Sequence, residues 1–445
     1  MHTLAVPCWR VRSLILILVC LTTGCREATS PTPGPDPGID PDPLATVRYS
    51  IWTIDSYAGD GIVRFYWDAT PFCDWPPCVP RSDIREVWVE MSTVGPRGPY
   101  SLAASSPNVG PDSVVVDKVA NGTLYYFRIA SRDSSGHTIG ISRVMETIPG
   151  PALAATARIP AFQRYYMRPS LAWSPDGTQL AFGKADGCVQ ANLYAYDFRT
   201  AAIRQLTHFT LDEQYIAFAD WSANGNAIAF EYSPTLTSSS LNYRIWTLDL
   251  GTGSTRAITS GRYDSDPAWT SEQELVFVRY KESDRSREIH RVSLEGGAVT
   301  QITFDSRIAK AQLAVSMDGQ TIAFASSDSG GAALFTVPAA GGENRRLVDG
   351  HDWEITHPAW APDGTKIYFT SQRSGHYEIW SYDLVSQMLQ QVTRSQARGR
   401  IHCAPAIDPS RALLACFRSW GSQTDILVYP LASTAARGSR SQPGG

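Results

Sequence analysis

The stretch Trp173-Ser-Pro-Asp-Gly177 recurs, with variation, along the C-terminal two thirds of the chain. The other copies begin at Trp221, Trp269, Val315, Trp360 and Ile407. Successive copies are therefore 48, 48, 46, 45 and 47 residues apart. Each copy is followed by a short apolar run, such as Leu180-Ala-Phe182, and then by a second one, such as Leu193-Tyr-Ala-Tyr-Asp197. A fixed period of this length indicates a repeat architecture.

Five of the repeats end in one further strand pattern, an apolar residue followed by Thr or Val: Leu206-Thr207, Ile258-Thr259, Ile302-Thr303, Leu347-Val348 and Val392-Thr393. Four short antiparallel strands in about 45 residues are typical of one blade of a β-propeller. The Asp-Gly pairs supply the positive φ that a tight hairpin turn requires. We therefore interpret the recurrent aspartates as turn formers and not as catalytic acids.

The sixth repeat, which ends near Leu431, lacks a fourth strand. The segment Ala157-Arg-Ile-Pro160 has the character of the missing strand and precedes Trp173 by a suitable distance. The sequence thus predicts an all-β fold with a six-bladed propeller over residues 153–431. An N-terminal strand near residues 154–160 would close it, leaving no exposed sheet edge.

Composition agrees with an all-β protein, since the chain has 34 Gly, 29 Pro, 13 Trp and 19 Tyr but only 18% charged residues. The formal net charge is −4, which argues against a nucleic-acid partner.

The form Pro-Ala-Trp-Ser-Pro-Asp-Gly with a terminal Leu-Thr resembles the TolB-type propeller repeat. Pro267-Ala-Trp269 and Pro358-Ala-Trp-Ala-Pro-Asp-Gly364 carry the resemblance most fully. It implies a periplasmic protein that binds protein partners at the cell envelope. The chain departs from that family in its N-terminal region, where no α/β domain is apparent.

Residues 46–148 show short alternating strands, such as Val63-Arg-Phe-Tyr-Trp67, that predict a β-sandwich. The segment resembles a fibronectin type III domain. Trp67 matches the buried Trp of the second strand of that family, and Tyr125 matches its tyrosine-corner residue. Domains of this kind are usually spacers or binding modules.

Residues 1–24 have the pattern of an export signal, with Arg10 and Arg12 before an apolar run that is too short to span a bilayer. The following Leu21-Thr-Thr-Gly-Cys25 resembles a bacterial lipoprotein signal box, which implies lipidation of Cys25. Residues 25–45 then form a Pro-rich tether, and residues 432–445 a polar, disordered tail. We expect an exported lipoprotein, anchored by its N-terminal lipid on the periplasmic side or the surface of the outer membrane.

Two cysteine pairs suit an oxidising compartment. Cys73 and Cys78 bracket a tight loop and are interpreted as a disulfide. Cys403 and Cys416 are equidistant from a hairpin turn, so they are either a second disulfide or two buried thiols.

No nucleophile elbow, phosphate loop or His-Glu-x-x-His motif is present, so no catalytic residue and no cofactor is assigned. Propellers commonly bind ligands at one channel mouth. The polar residues that precede the first strands of the repeats are the candidates for such a site: Arg168, Asp264, Asp266, Lys310, Gln312, His357 and His402. His357 and His402 are weak candidates for a metal, as in the oligogalacturonate lyases with similar propellers.

Three functional hypotheses follow from these patterns. The first is a non-catalytic envelope lipoprotein whose propeller binds a protein, glycan or peptide partner. The second is a metal-dependent polysaccharide lyase or other hydrolytic enzyme acting at the channel mouth. The third assigns binding to the sandwich domain and makes the propeller its platform.

Overall fold

The computed structural model describes residues 54–67, 84–107, 113–163, 171–186, 190–211, 214–234, 242–296, 298–328, 331–350, 353–394, 404–409, 413–420 and 423–431. Throughout these ranges the regular elements are β-strands, which confirms the all-β prediction. No helix long and apolar enough to cross a membrane occurs in this described part of the chain.

The N-terminal unit is a sandwich of two antiparallel sheets. One sheet has the order β1 (Ile54–Ala58), β2 (Ile62–Trp67), β5 (Ser113–Asp117). The other has the order β4 (Ser101–Ser106), β3 (Glu86–Ser92), β6 (Tyr125–Arg132), β7 (Thr138–Ile141), and β8 (Met145–Thr147) pairs with the start of β6. Burial alternates along the strands, so one face of each sheet lies in a shared core.

The Tyr125 hydroxyl accepts a hydrogen bond from the backbone N–H of Ala120 at 2.9 Å, the contact expected of a tyrosine corner. The side chain of Trp67 lies outside the described residues. The β-sandwich is therefore observed, and its resemblance to fibronectin type III domains stays a prediction.

Six four-stranded antiparallel sheets follow, as predicted for a six-bladed propeller. The first three blades are β10 (Leu171–Trp173), β11 (Gln179–Asp186), β12 (Gln190–Asp197), β13 (Ala202–Gln205); β14 (Tyr215–Trp221), β15 (Ala227–Ser233), β16 (Arg244–Asp249), β17 (Thr255–Ala257); and β18 (Asp264–Ser271), β19 (Glu274–Lys281), β20 (Ser286–Ser293), β21 (Thr300–Gln301). The fourth and fifth are β22 (Lys310–Val315), β23 (Thr321–Asp328), β24 (Gly331–Pro338), β25 (Arg345–Asp349); and β26 (Ile355–Trp360), β27 (Lys366–Ser371), β28 (Glu378–Asp383), β29 (Leu389–Gln391).

The sixth blade is built from both ends of the propeller segment. Its strands are β30 (Ala406–Ile407), β31 (Leu413–Trp420), β32 (Gln423–Pro430) and, from the N-terminal side, β9 (Ala157–Gln163). Ile159 pairs with Ile426, and both are fully buried. The predicted closure by the strand near Ile159 is confirmed.

The recurrent Ser-x-Asp-Gly turn is held by its own side chains. The Ser174 hydroxyl donates to the Asp176 carboxylate at 2.6 Å, and that carboxylate accepts the Thr178 backbone N–H at 3.0 Å. These hydrogen bonds, that from Ser174 above all, hold the pKa of Asp176 below its usual range. Gly177 follows at a φ of 65°. The aspartate thus shapes the hairpin, as its place in the repeat indicates.

The terminal Thr of the repeats has a structural role. In the third blade, the Thr303 hydroxyl accepts the backbone N–H of Ile289 at 2.8 Å and donates to Glu288 at 2.5 Å. In three other blades the hydroxyl of Thr207, Thr259 or Thr393 likewise accepts a hydrogen bond from a backbone N–H. A buried hydroxyl therefore satisfies a backbone donor where the fourth strand ends.

The sandwich rests on the fifth blade through a buried ion pair. Arg373 Nη1 lies 2.9 Å from Glu146 Oε2, with 2% and 8% of the two side chains exposed. Arg373 also donates to the Asp349 carbonyl at 2.7 Å. Beside it, the Ile148 N–H donates to Gln391, and the Ile148 carbonyl accepts from Arg394. The two units are therefore joined by a buried ion pair and by hydrogen bonds to backbone groups.

Candidate binding site in the propeller channel

The first strands of the blades surround a cavity of about 290 Å³. Its wall combines Trp173, Trp221, Trp269 and Trp360 with small and polar residues. Three of these indoles also join neighbouring blades: Trp173 donates to the carbonyl of Ala406, Trp269 to that of Asp220 and Trp360 to that of Ala314, at 3.0–3.1 Å. The wall is thus fixed by hydrogen bonds between blades.

A β-bulge interrupts the first strand of the second, third, fourth and fifth blades, three residues before the Trp or Val of the repeat. In each, a residue other than glycine has a positive φ, close to 50°: Phe218, Asp266, Gln312 and His357. All four line the cavity. Such backbone conformations cost about 1–3 kcal/mol each and persist where the surrounding structure imposes them. Four neighbouring blades therefore place a bulge side chain at the channel.

Three of the predicted site residues are brought together here. Asp266, Gln312 and His357 line the cavity from successive blades. The Gln312 carbonyl oxygen accepts the backbone N–H of His357 at 2.8 Å, and its amide nitrogen lies 3.5 Å from His357 Nε2. Asp266 is nearly buried and accepts from the Ser265 hydroxyl at 3.1 Å. These side chains form a polar wall shared by three blades.

Two other candidates have structural contacts away from the cavity lining. Asp264 lies opposite Arg279 in the strand pair and binds it through two contacts, at 2.7 and 2.9 Å. Lys310 is 0% exposed, with its Nζ 2.8 Å from Glu288, and it also donates to the carbonyl of Asp305. In each of these two strands a bulge begins between the residue with structural contacts and the wall residue two positions later. The bulge therefore explains why Asp264 and Lys310 do not line the cavity although Asp266 and Gln312 do.

Arg168, His402 and Cys403 lie outside the described residues, as do Cys25, Cys73 and Cys78. Cys416 is described and is buried beside Leu414, Leu427 and Ile379. Within the ranges that the structure describes, no group of three His, Cys, Asp or Glu side chains is arranged to hold a metal ion.

Asp220 is a wall residue that the sequence patterns did not single out. The equivalent residue of every other blade is alanine: Ala172, Ala268, Ala314, Ala359 and Ala406. The Asp220 carboxylate accepts the backbone N–H of Trp269 at 2.8 Å. Desolvation of this carboxylate by the surrounding protein raises its pKa to about 6. Its departure from alanine in the aligned repeats is the signal that would have identified it.

The fold and its channel define a six-bladed β-propeller whose inner wall combines apolar and polar side chains. Residues 309–438 match the family described as the TolB beta propeller domain. The matched residues include the fourth and fifth blades and most of the sixth, so this part of the propeller is similar to the TolB beta propeller domain.

Individual relatives resemble only part of the chain. The Tol-Pal system protein TolB of Anaeromyxobacter dehalogenans is 30% identical over 103 residues, which are 23% of this chain and 23% of that protein. The chain thus matches about a quarter of the length of that relative.

Similar solved structures include TolB from Acinetobacter baumannii, with 16% identity and a TM-score of 0.43 over 70% of this chain and 77% of that one. An oligogalacturonate lyase in complex with manganese has 12% identity and a TM-score of 0.45 over 85% of this chain and 96% of that one.

Proposed function

We propose that this chain is a non-catalytic protein of the cell envelope whose propeller binds a segment of a partner protein at the channel. The observation that carries the proposal is the set of four bulge residues at the cavity, Phe218, Asp266, Gln312 and His357. Conformations of this cost are typically kept at binding sites. The TolB-type propeller supports a protein partner over a glycan.

The wall has the composition of a recognition site. Apolar surface from Phe218 and the tryptophans provides the area that a partner side chain would bury, and Asp266, Gln312 and His357 provide hydrogen-bonding groups from separate blades. Pockets that bind ligands combine an apolar lining with a few placed polar groups in this way. Because Gln312 and His357 hold each other, part of that polar wall is already ordered.

We further propose that the protein is exported and anchored by a lipid on Cys25. The N-terminal signal pattern supports export, and the Pro-rich residues 25–45 would hold the folded units away from the membrane. The contact through Arg373 and Glu146 would keep the sandwich fixed on the fifth blade, so that the propeller and sandwich are presented together.

The proposal is tested by site-specific photocrosslinking in envelope fractions. A benzophenone side chain replacing Phe218 is expected to capture a discrete partner band, and His357→Ala in the same chain is expected to reduce it at least fivefold. The same crosslinker at Val385, which is 84% exposed on an outer turn, is the control. Equal capture at both positions, or none at Phe218, contradicts the proposal.

The lyase hypothesis makes a different prediction for the same purified protein. It requires unsaturated products from a polysaccharide substrate in the presence of a divalent metal, with loss of turnover in His357→Ala. Turnover of that kind would replace the binding proposal with an enzymatic one.

A further inference from the structure

We infer that the channel cavity takes a cationic side chain, lysine or arginine, from the partner protein. This inference deepens the proposed function and rests on it. The wall includes two acidic residues, Asp220 and Asp266. Among the residues that the structure shows lining the cavity, none is a lysine or an arginine.

Three buried acids elsewhere in the propeller have a cation within the protein. Asp264 binds Arg279, Glu288 binds Lys310, and Asp425 binds Arg158. Asp220 differs, because no ion pair to it occurs in the described part of the chain. A carboxylate withdrawn from water without a counter-charge is unfavourable. A cation supplied by a bound partner would remove that cost.

The repeat itself shows that the propeller does not need this acid. Alanine occupies the equivalent position in the other five blades, and those blades form the same four-stranded sheet. Asp220 is therefore an addition to one blade of the ring. It lines the cavity two residues after the bulge residue Phe218.

The remaining wall suits the same kind of ligand. Phe218, Trp221 and Trp269 also line the cavity. Aromatic faces attract ammonium and guanidinium groups, and their apolar surface also accommodates the methylene stem of lysine or arginine. A volume of about 290 Å³ lies at the lower limit of ligand pockets. The cavity therefore fits one long side chain of a partner better than the surface of a folded domain.

The test uses the full-length protein and blocked pentapeptides of the form Gly-Gly-Xaa-Gly-Gly, titrated by calorimetry at low salt. Xaa is lysine, arginine, norleucine or glutamate. We expect the lysine and arginine peptides to bind at least tenfold more tightly than the norleucine peptide, which has the same stem without charge. The glutamate peptide is expected not to bind.

Asp220→Asn keeps an oxygen that can accept the Trp269 N–H, and it is expected to weaken binding of the lysine peptide at least fivefold. Glu343→Gln removes the same charge from an exposed loop and should leave the affinity unchanged. A thermal unfolding curve for each variant shows whether it is folded. Asp220→Ala, which restores the residue of the other blades, provides a second charge-free variant.

Equal binding of the lysine and norleucine peptides would overturn the inference, as would an unchanged affinity in both Asp220 variants. Binding of a divalent metal alone, with no peptide bound, would overturn it as well. These failures are distinct from failure of the proposed function. If crosslinking at Phe218 still captures a partner, the channel binds protein without selecting a cation, and only this inference fails. If that crosslink is absent, the proposed function itself fails.

Discussion

The carboxylate of Asp220 accepts the backbone N–H of Trp269, and the Trp269 indole donates back to the backbone carbonyl of Asp220 at 3.1 Å. This reciprocal pair joins the first strands of the second and third blades. It holds an ionisable residue in the channel wall at a position where the other blades have alanine. The pair therefore contributes both to the closure of the ring and to the chemistry of the wall.

The raised pKa of Asp220 makes stability depend on pH. Its pKa is about 6 in the folded protein and near 3.8 in the unfolded chain, so the folded state binds more protons between those values. The contribution of Asp220 to the free energy of unfolding is therefore greatest below pH 4 and falls as pH rises to about 6. We expect Asp220→Asn to gain roughly 1–3 kcal/mol relative to the wild type between pH 4 and pH 7.5.

Urea unfolding of both proteins at several pH values measures this difference. The asparagine variant is compared with Glu343→Gln, whose stability relative to the wild type should vary little over the same range. A constant difference between Asp220→Asn and the wild type would show that the carboxylate is not desolvated.

The bulge conformation of Phe218 should reverse the usual preference for alanine over glycine. Its φ is 47°, a region that glycine adopts freely and alanine does not. We therefore expect Phe218→Gly to be about 1 kcal/mol more stable to unfolding than Phe218→Ala. At Ala217, one residue earlier and fully buried, replacement by glycine should instead destabilise the protein. The opposite order at position 218 would mean that the bulge relaxes.

Lys310 is expected to be structural. Its replacement by methionine would leave Glu288 buried without a cation, which typically costs about 3–5 kcal/mol. The double variant Lys310→Met, Glu288→Met removes both charges and should recover much of the loss. Denaturant unfolding of the single and double variants measures the coupling. A stable single variant with impaired partner capture would instead assign Lys310 to binding.

The ion pair between Arg373 and Glu146 should couple the sandwich to the fifth blade. Arg373→Met is expected to lower the stability of the sandwich by about 3–5 kcal/mol, because it leaves Glu146 buried and unpaired. Limited proteolysis is then expected to cleave between the sandwich and the propeller faster in the variant than in the wild type. Arg346→Met, which removes a half-exposed partner of Asp349, is the control and should have an effect below about 1 kcal/mol. Equal proteolysis of the two variants would contradict the coupling.

The hydroxyl of Thr393 should matter more than its methyl group. Thr393→Val leaves the Ile379 N–H without its acceptor in a buried site and should cost about 1–3 kcal/mol. Thr393→Ser keeps the hydroxyl and should cost less than half as much. Comparable losses in the two variants would show that packing, and not the hydrogen bond, explains the terminal Thr of the repeat.

The blades, their number and their closure were predictable from sequence. The period from Trp173 to Ile407, the Asp-Gly turns and the strand at Ile159 act through neighbours within one repeat, or through one repeated pairing, so their pattern is visible along the chain. Alignment of the repeats also brought Asp266, Gln312 and His357 together as candidates, and these three line the channel.

Tertiary structure decided which polar residues share the wall. Asp264 and Asp266 are two residues apart, yet one binds Arg279 and the other lines the cavity, because a bulge between Ser265 and Ala268 includes Asp266, and only the folded sheet shows its register. Desolvation in the folded protein raises the pKa of Asp220, and Arg373 pairs with Glu146, which is 227 residues away along the chain. Sequence alone determined the repeated hydrogen-bonded unit. The chemistry of the channel depended on contacts between blades, because burial and charge pairing arise only when distant strands pack together.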